Sequence, residues 1–162
     1  MKKPVYVFIG PSGSGKSTFA ADMKRRMGDT LEVISSDQIR EEFLGDAADQ
    51  SHQNWIWREL YYRLRDSLQN PLVSDIVVDA TNVHAKDRRT LLKYIIEYDG
   101  APHAVVFTTS KDECVARDSS RPRSVGNRVI ERQFNAFSMS DILKEKWKHI
   151  YEMGVDGWKI VV

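Results

Sequence analysis

Eight consecutive residues constrain this chain more than any others. Residues 10–17 read Gly-Pro-Ser-Gly-Ser-Gly-Lys-Ser, a full match to the pattern G-x-x-x-x-G-K-[ST] of phosphate-binding loops. An apolar run at 5–9 precedes them and an amphipathic segment at 19–27 follows. Gly10, Gly13 and Gly15 permit backbone angles that let successive N–H groups, those of Ser12 and Ser14 included, surround an anion. A helix beginning near Lys16 adds the partial positive charge of its N-terminus. Lys16 can reach the β- and γ-phosphates of a nucleotide, the Ser17 hydroxyl can ligate Mg²⁺, and Thr18 is a second hydroxyl at the same helix start. The competing reading is a glycine-rich turn with an exposed lysine. At ordinary glycine usage such a match arises by chance in roughly one chain in a few hundred, and the strand–loop–helix context lowers those odds further. The expected ligands are therefore ATP, or another nucleoside triphosphate, and Mg²⁺. No N-K-x-D guanine signature and no apolar strand ending in Asp-Glu is present, so a small kinase fits better than a GTPase or a motor ATPase.

The rest of the chain alternates short apolar runs with longer helical patterns. Strands are predicted at 5–9, 31–34, 75–79, 104–108 and 158–162, and helices at 19–27, 38–44, 53–68, 86–98, 127–137 and 141–153, with another starting at 112–119. Asn70-Pro71 stops the long aromatic-rich helix. Strands separated by helices imply parallel pairing through right-handed crossovers, and continuously apolar strands imply a sheet covered on both faces. The expectation is one domain over 1–162, a three-layer α/β/α P-loop fold with a mostly parallel, five-stranded sheet and a helical lid at about 117–128. Ligands of such sheets bind beyond the carboxyl ends of the strands.

Composition excludes little but bounds the partners. The net charge is +1, from 24 basic and 23 acidic side chains, which gives no global case for binding nucleic acid. Locally, Arg117, Arg121, Arg123, Arg128 and Arg132 face only Asp118 and Glu131; a solvated helix face is the plainer reading of such a cluster. The single cysteine, Cys114, cannot form an internal disulfide and is read as packing; together with the lack of a signal-peptide or membrane-span pattern it leads to a cytoplasmic expectation. No His/Cys grouping has metal-site spacing. Oligomeric state is not legible.

A kinase also needs a base for the acceptor hydroxyl and cations for the acceptor's anionic parts. Ser35-Ser36-Asp37-Gln38-Ile39-Arg40 follows the second strand. Asp37 stands at a strand-to-helix junction, where its carboxylate could accept the proton of an attacking hydroxyl; a helix N-cap is an equally good reading. Arg40, one turn on, can share its face. The third strand ends in Asp79-Ala80-Thr81-Asn82. Asp79 could hold the hydration shell of Mg²⁺, and Thr81 and Asn82 could reach the acceptor, although a turn plus a helix cap would explain them alone. Arg117 and Arg121, four apart, would project together over the phosphate loop. His52, Trp55, Trp57, Tyr61 and Tyr62 crowd one helix, where a core face is favoured over base stacking.

Four segments in this order, GPSGSGKST at 10–18, SSDQIR at 35–40, DATNVHAKDRR at 79–89 and RDSSRPRSVGNRVIERQF at 117–134, resemble the kinase domain of bacteriophage and bacterial polynucleotide 5′-hydroxyl kinases, within the larger set of zeta-toxin-like P-loop kinases. The resemblance implies transfer of the ATP γ-phosphate to the 5′-hydroxyl of a DNA or RNA end. It implies Lys16 and Ser17 as ligands of the donor phosphates and Mg²⁺, Asp37 as general base, and Arg40 as the cation on the acceptor's neighbouring phosphate. Asp79, Thr81 and Asn82 would support the acceptor, with Arg117 and Arg121 as lid arginines. No Asp-x-Asp-x-Thr signature accompanies these segments, so 3′-phosphatase activity is not expected. Two other functions stay open. One keeps the chemistry with a different acceptor (a hydroxymethylated DNA base, a nucleoside, a sugar or an antibiotic), and the other is a non-catalytic or regulatory ATP-binding domain.

Overall fold

The computed structural model describes residues 1–154 and 157–162. Its elements follow one another in the order of an α/β domain. Strand β1 (Lys3–Ile9) runs into the glycine loop and then α1 (Lys16–Met27). β2 (Leu31–Ser35), α2 (Ser36–Leu44), α3 (Gln53–Gln69) and β3 (Asp75–Asp79) follow. Next come α4 (Ala85–Glu97), β4 (Gly100–Phe107), α5 (Lys111–Ser119), α6 (Asn127–Ala136), α7 (Met139–Leu143), β5 (His149–Gly154) and β6 (Gly157–Ile160).

The strands form one sheet in the order β2-β3-β1-β4-β5-β6. The first five are parallel; β6 pairs antiparallel with β5. β1 lies between β3 and β4, with Val7 opposite Val78 on one side and Ala104 on the other. From β1 the chain crosses to β2 on one side, and from the adjacent β4 it crosses to β5 on the other, so the crevice at the carboxyl end of β1 is the topological switch point where such sheets bind ligands.

Alternation along β1 divides the core. Val5, Val7 and Ile9 point into the larger layer, beside Ile76, Val78, Ala104 and Val106. On α3, Ile56, Leu60 and Leu64 recur one turn apart to cover this face, and on α4 Leu91, Leu92 and Ile95 do the same. Phe8, Val77, Val105 and Phe107 point the other way, against Ala20, Phe19, Met23 and Met27 of α1. Each fully buried leucine or isoleucine contributes about 1.5–3 kcal/mol of burial free energy.

Three expectations are corrected. Among the described residues the sheet has six strands, not five. The segment 141–153 is not one helix: it is the five-residue α7 and then β5. The last strand is β6, ending at Ile160, an exposed antiparallel edge. The spacing of Ile142, Trp147, Ile150 and Tyr151 imitates a helical stripe. The open edge of β4 decides otherwise, because pairing His103–Phe107 with His149–Met153 satisfies backbone groups that would otherwise lack partners.

His103 in β4 is 8% exposed and sits near the Tyr6 ring (centroids 5.2 Å apart) and stacked near Tyr151 (6.1 Å). Its Nδ1 has no partner, and burial pushes its pKa down from 6.5 to about 4. A folded-state pKa below the unfolded one means the unfolded chain binds the extra proton first. The neutral imidazole's contribution is therefore complete above pH 6.5 and is lost as the pH falls toward 4. Urea unfolding of His103→Phe should show a smaller loss of stability across that window than the parent protein; equal losses would remove the assignment.

Candidate active site

The glycine loop folds as its sequence requires. Gly13 and Gly15 have φ of +80° and +100°, angles that side chains with a Cβ rarely adopt. At Gly13 a Cβ would also collide with the main-chain oxygen of Cys114 in α5. Cys114 is thus packing, as its burial suggests. α1 begins at Lys16 with no side-chain cap and no acidic residue in its first turn, so the positive end of that helix is bare toward the loop. Lys16 is buried, and its Nζ donates to the carbonyls of Gly10 (2.9 Å) and Pro11 (2.8 Å) and to Ser14 Oγ (3.4 Å). Thr109 Oγ1 donates to the Ser14 carbonyl at 2.8 Å, tying the loop to the end of β4.

The Ser17 hydroxyl donates to Asp79 Oδ2 at 2.8 Å. Asp79 is the last residue of β3 and is 5% exposed. Burial raises its pKa and lowers that of Lys16; each charge partly offsets the other's shift, and Asp37 and Arg121 also act on both. The loop lysine, the β3 carboxylate, Asp37 and Arg121 therefore share one electrostatic environment.

Asp37 stands in the first turn of α2. It is not the cap: Ser35 Oγ accepts the Gln38 N–H at 3.2 Å and fills that role. The Asp37 carboxylate instead lies 2.8 Å from Arg40 Nη1 and 3.9 Å from Arg121 Nη2. Arg40 is 8% exposed, donates to Ser36 Oγ at 3.3 Å and to Gln53 Oε1 at 3.1 Å, and keeps its buried Nε without a partner.

The two arginines of the lid segment separate. Arg117, on α5, pairs with Glu113 at 3.1 Å and lies beside Gly15 of the loop. Arg121 lies beyond the helix end, between Asp37 and Asp118, 3.9 Å from each. Asp118 is 1% exposed and organises the turn: Ser124 Oγ donates to it at 2.6 Å, and the Val125 and Gly126 N–H groups at 3.1 Å. Burial pushes its pKa up, but these donors outweigh it and hold the carboxyl below its usual range. Arg123 then reaches across to pair with Glu41 of α2.

A cleft of about 1770 Å³ joins these groups. Ser12 to Thr18, Asp37, Arg40, Asp79, Thr81, Arg117 and Arg121 all line it. Asn82 does not. It is 2% exposed, at φ +49°, and its amide donates to the Phe8 carbonyl at 2.8 Å and to the Ala80 carbonyl at 3.4 Å, so it braces β3 against β1 rather than facing the cleft. Gly10 does not line it either; its N–H donates to the Thr81 carbonyl at 2.9 Å. The cleft also includes Gln53, Asn54 and Trp57 of α3, and Val129, Arg132 and Gln133 of α6. Trp57 belongs to the aromatic helix and Arg132 to the arginine cluster that the sequence shows, whereas nothing local marks Gln53, Asn54, Val129 and Gln133, which enter through helices packed from elsewhere in the chain.

The turn 81–83 is held from behind by Arg88, which is 1% exposed. Its Nη1 donates to the carbonyls of Asn82 (3.0 Å) and Val83 (2.8 Å), and its Nε to Glu145 at 2.9 Å. Arg88→Leu should destabilise the fold by about 3–5 kcal/mol, since it leaves a buried carboxylate unpaired. Arg88→Leu/Glu145→Leu should recover part of that in urea titrations. A single-variant loss below about 1 kcal/mol would show that the pair is not structural.

Residues 5–140 match the model of the AAA_33 family, described as an AAA domain. The chain belongs to that family. It is a P-loop kinase domain, of the kind that binds nucleoside triphosphates. Among solved structures it is similar to one of a Pnkp1/Rnl/Hen1 complex at 25% identity and a TM-score of 0.62, covering 72% of this chain and 39% of that one. A fungal RNA kinase aligns at 15% identity and a TM-score of 0.70, over 94% of this chain and 38% of the other. A gluconokinase from Sinorhizobium meliloti 1021 aligns at 16% identity and a TM-score of 0.59, over 94% of this chain and 82% of the other. The P-loop kinase domain thus spans about two-fifths of the length of the first two. No curated protein matches it. Among the described residues, no helix is long and apolar enough to cross a membrane, and no group of three or more His, Cys, Asp or Glu could form a metal cage.

Proposed function

We propose that this domain transfers the γ-phosphoryl group of ATP to the 5′-hydroxyl of a DNA or RNA end. The observation that carries the reading is the placement of Asp37. Its carboxylate lines the same cleft as the phosphate loop, fixed by Arg40 on one side and flanked by Arg121 on the other. The amides of residues 13–17, Lys16 and Arg117 hold the donor phosphates. Ser17 and Asp79 would hold Mg²⁺, which prefers one or two protein oxygens plus substrate phosphates to a cage of side chains; such an ion would supply positive charge to offset that of the phosphates. The acceptor oxygen attacks the γ-phosphorus and its proton passes to Asp37. The bond from the γ-phosphorus to the β-phosphate oxygen breaks, leaving ADP. Arg121 stabilises charge on the transferring group. Arg40, which lines the cleft, binds the phosphate next to the acceptor nucleoside, while Thr81 contacts the acceptor.

The similarity to the Pnkp1 complex supports a polynucleotide acceptor. A net charge of only +1 favours a second reading, the same chemistry on a small hydroxyl acceptor. Labelled ATP should be given side by side with a 5′-hydroxyl oligonucleotide, a hydroxymethyluracil duplex, a nucleoside and gluconate. Label on the oligonucleotide, falling steeply as salt rises because phosphate contacts release counterions, is the expected result. Label on a small acceptor alone would replace the first reading by the second.

A further inference from the structure

The turn at 120–126 and helix α6 must keep a defined position over the phosphate loop if Arg121 is to act there. One contact does this directly. The Ser12 N–H donates to Gln133 Oε1 at 2.8 Å, across 121 residues of sequence. Ser12 belongs to the loop, and Gln133 lies at the end of the second turn of α6. Val129, Arg132 and Gln133, at i, i+3 and i+4, form the stripe of α6 that faces the cleft, and Ile130 beside that stripe is fully buried. The hydrogen bond therefore fixes the azimuth of α6 as well as its distance, and it brings Arg132 to the donor side.

The geometry points to Gln133 as a positioning residue of the donor site, which couples the lid helix α6 to the phosphate loop through the Ser12 amide. The choice of a neutral amide has a reason. A carboxylate would accept the same N–H more strongly, but it would stand next to the donor's phosphates and repel them. A methionine would fill the same space and accept nothing. Two substitutions of similar shape thus separate the tether from its charge. The inference rests on the loop being the donor site and not on the identity of the acceptor.

The test is amide hydrogen exchange of the whole chain with and without Mg²⁺–ATP, together with transfer kinetics on the acceptor selected above. In Gln133→Met, exchange across α6 should rise about tenfold, the equivalent of one hydrogen bond. Its kcat should fall by a similar factor with little change in KM for ATP, and its unfolding midpoint should stay close to that of the parent. In Gln133→Glu, the protection of α6 should return, and KM for ATP should rise instead. Parent-like exchange in α6 and parent-like kcat for Gln133→Met would overturn the coupling, as would an unchanged KM for ATP in Gln133→Glu. Failure of the donor reading looks different: Mg²⁺–ATP would then leave the exchange of residues 10–18 unchanged in the parent protein itself.

Discussion

Asp37→Asn is expected to lower phosphoryl transfer by about 10²–10⁴-fold while ATP binding is retained, the range set by loss of a positioned general base. Asparagine keeps the shape and can still accept from Arg40, but it cannot take the hydroxyl proton. The carboxylate is 44% exposed, so losing its ion pairs should change fold stability by about 1 kcal/mol or less. A large fall in rate with an unchanged unfolding midpoint would therefore report chemistry and not damage. Single-turnover transfer measured beside ATP binding checks it. A variant that transfers near the parent rate would remove Asp37 from the mechanism and leave the cleft without a base among the groups next to Arg40 and Arg121.

Arg121→Ala should have the other large effect, about 10³–10⁵-fold in rate, or roughly 4–7 kcal/mol of barrier. The distances set it apart from Arg117. Arg121 is 3.9 Å from Asp37, at the junction of donor and acceptor sides, whereas Arg117 lies beside Gly15 and pairs with Glu113. Arg117→Ala should accordingly appear mainly as a higher KM for ATP and Arg121→Ala mainly as a lower kcat. If both lose only KM, neither guanidinium stabilises the transferring group, and the lid arginines serve binding alone.

Arg123 and Glu41 add a link of the lid to α2 outside the cleft. With the Asp118 turn and the Ser12–Gln133 bond, the lid is held at three points: its own carboxylate, the acceptor-side helix and the donor loop. Conformational control of such an enzyme falls on these contacts, since lid opening and closing commonly limits turnover.

The chain's own order determined the donor half of the site. The phosphate loop lies within eight adjacent residues, and its chemistry depends on backbone angles that glycine allows locally, so no distant contact is needed to read it. Alternating apolar runs likewise determined a parallel, doubly covered sheet, because each run states its own burial. What only the tertiary structure decided concerns groups that meet across the chain. β5 carries a helix-like apolar spacing and became a strand because β4 offered an open edge. Asn82 sits in a motif that suggests substrate contact, yet its amide is bonded to the neighbouring strand. Gln133 and Asp118 carry no local signal, since their roles arise from hydrogen bonds formed after the helices have packed. A pattern along the sequence reports what one segment will bury or bend into, while a partner from another segment exists only once the fold has brought the two together.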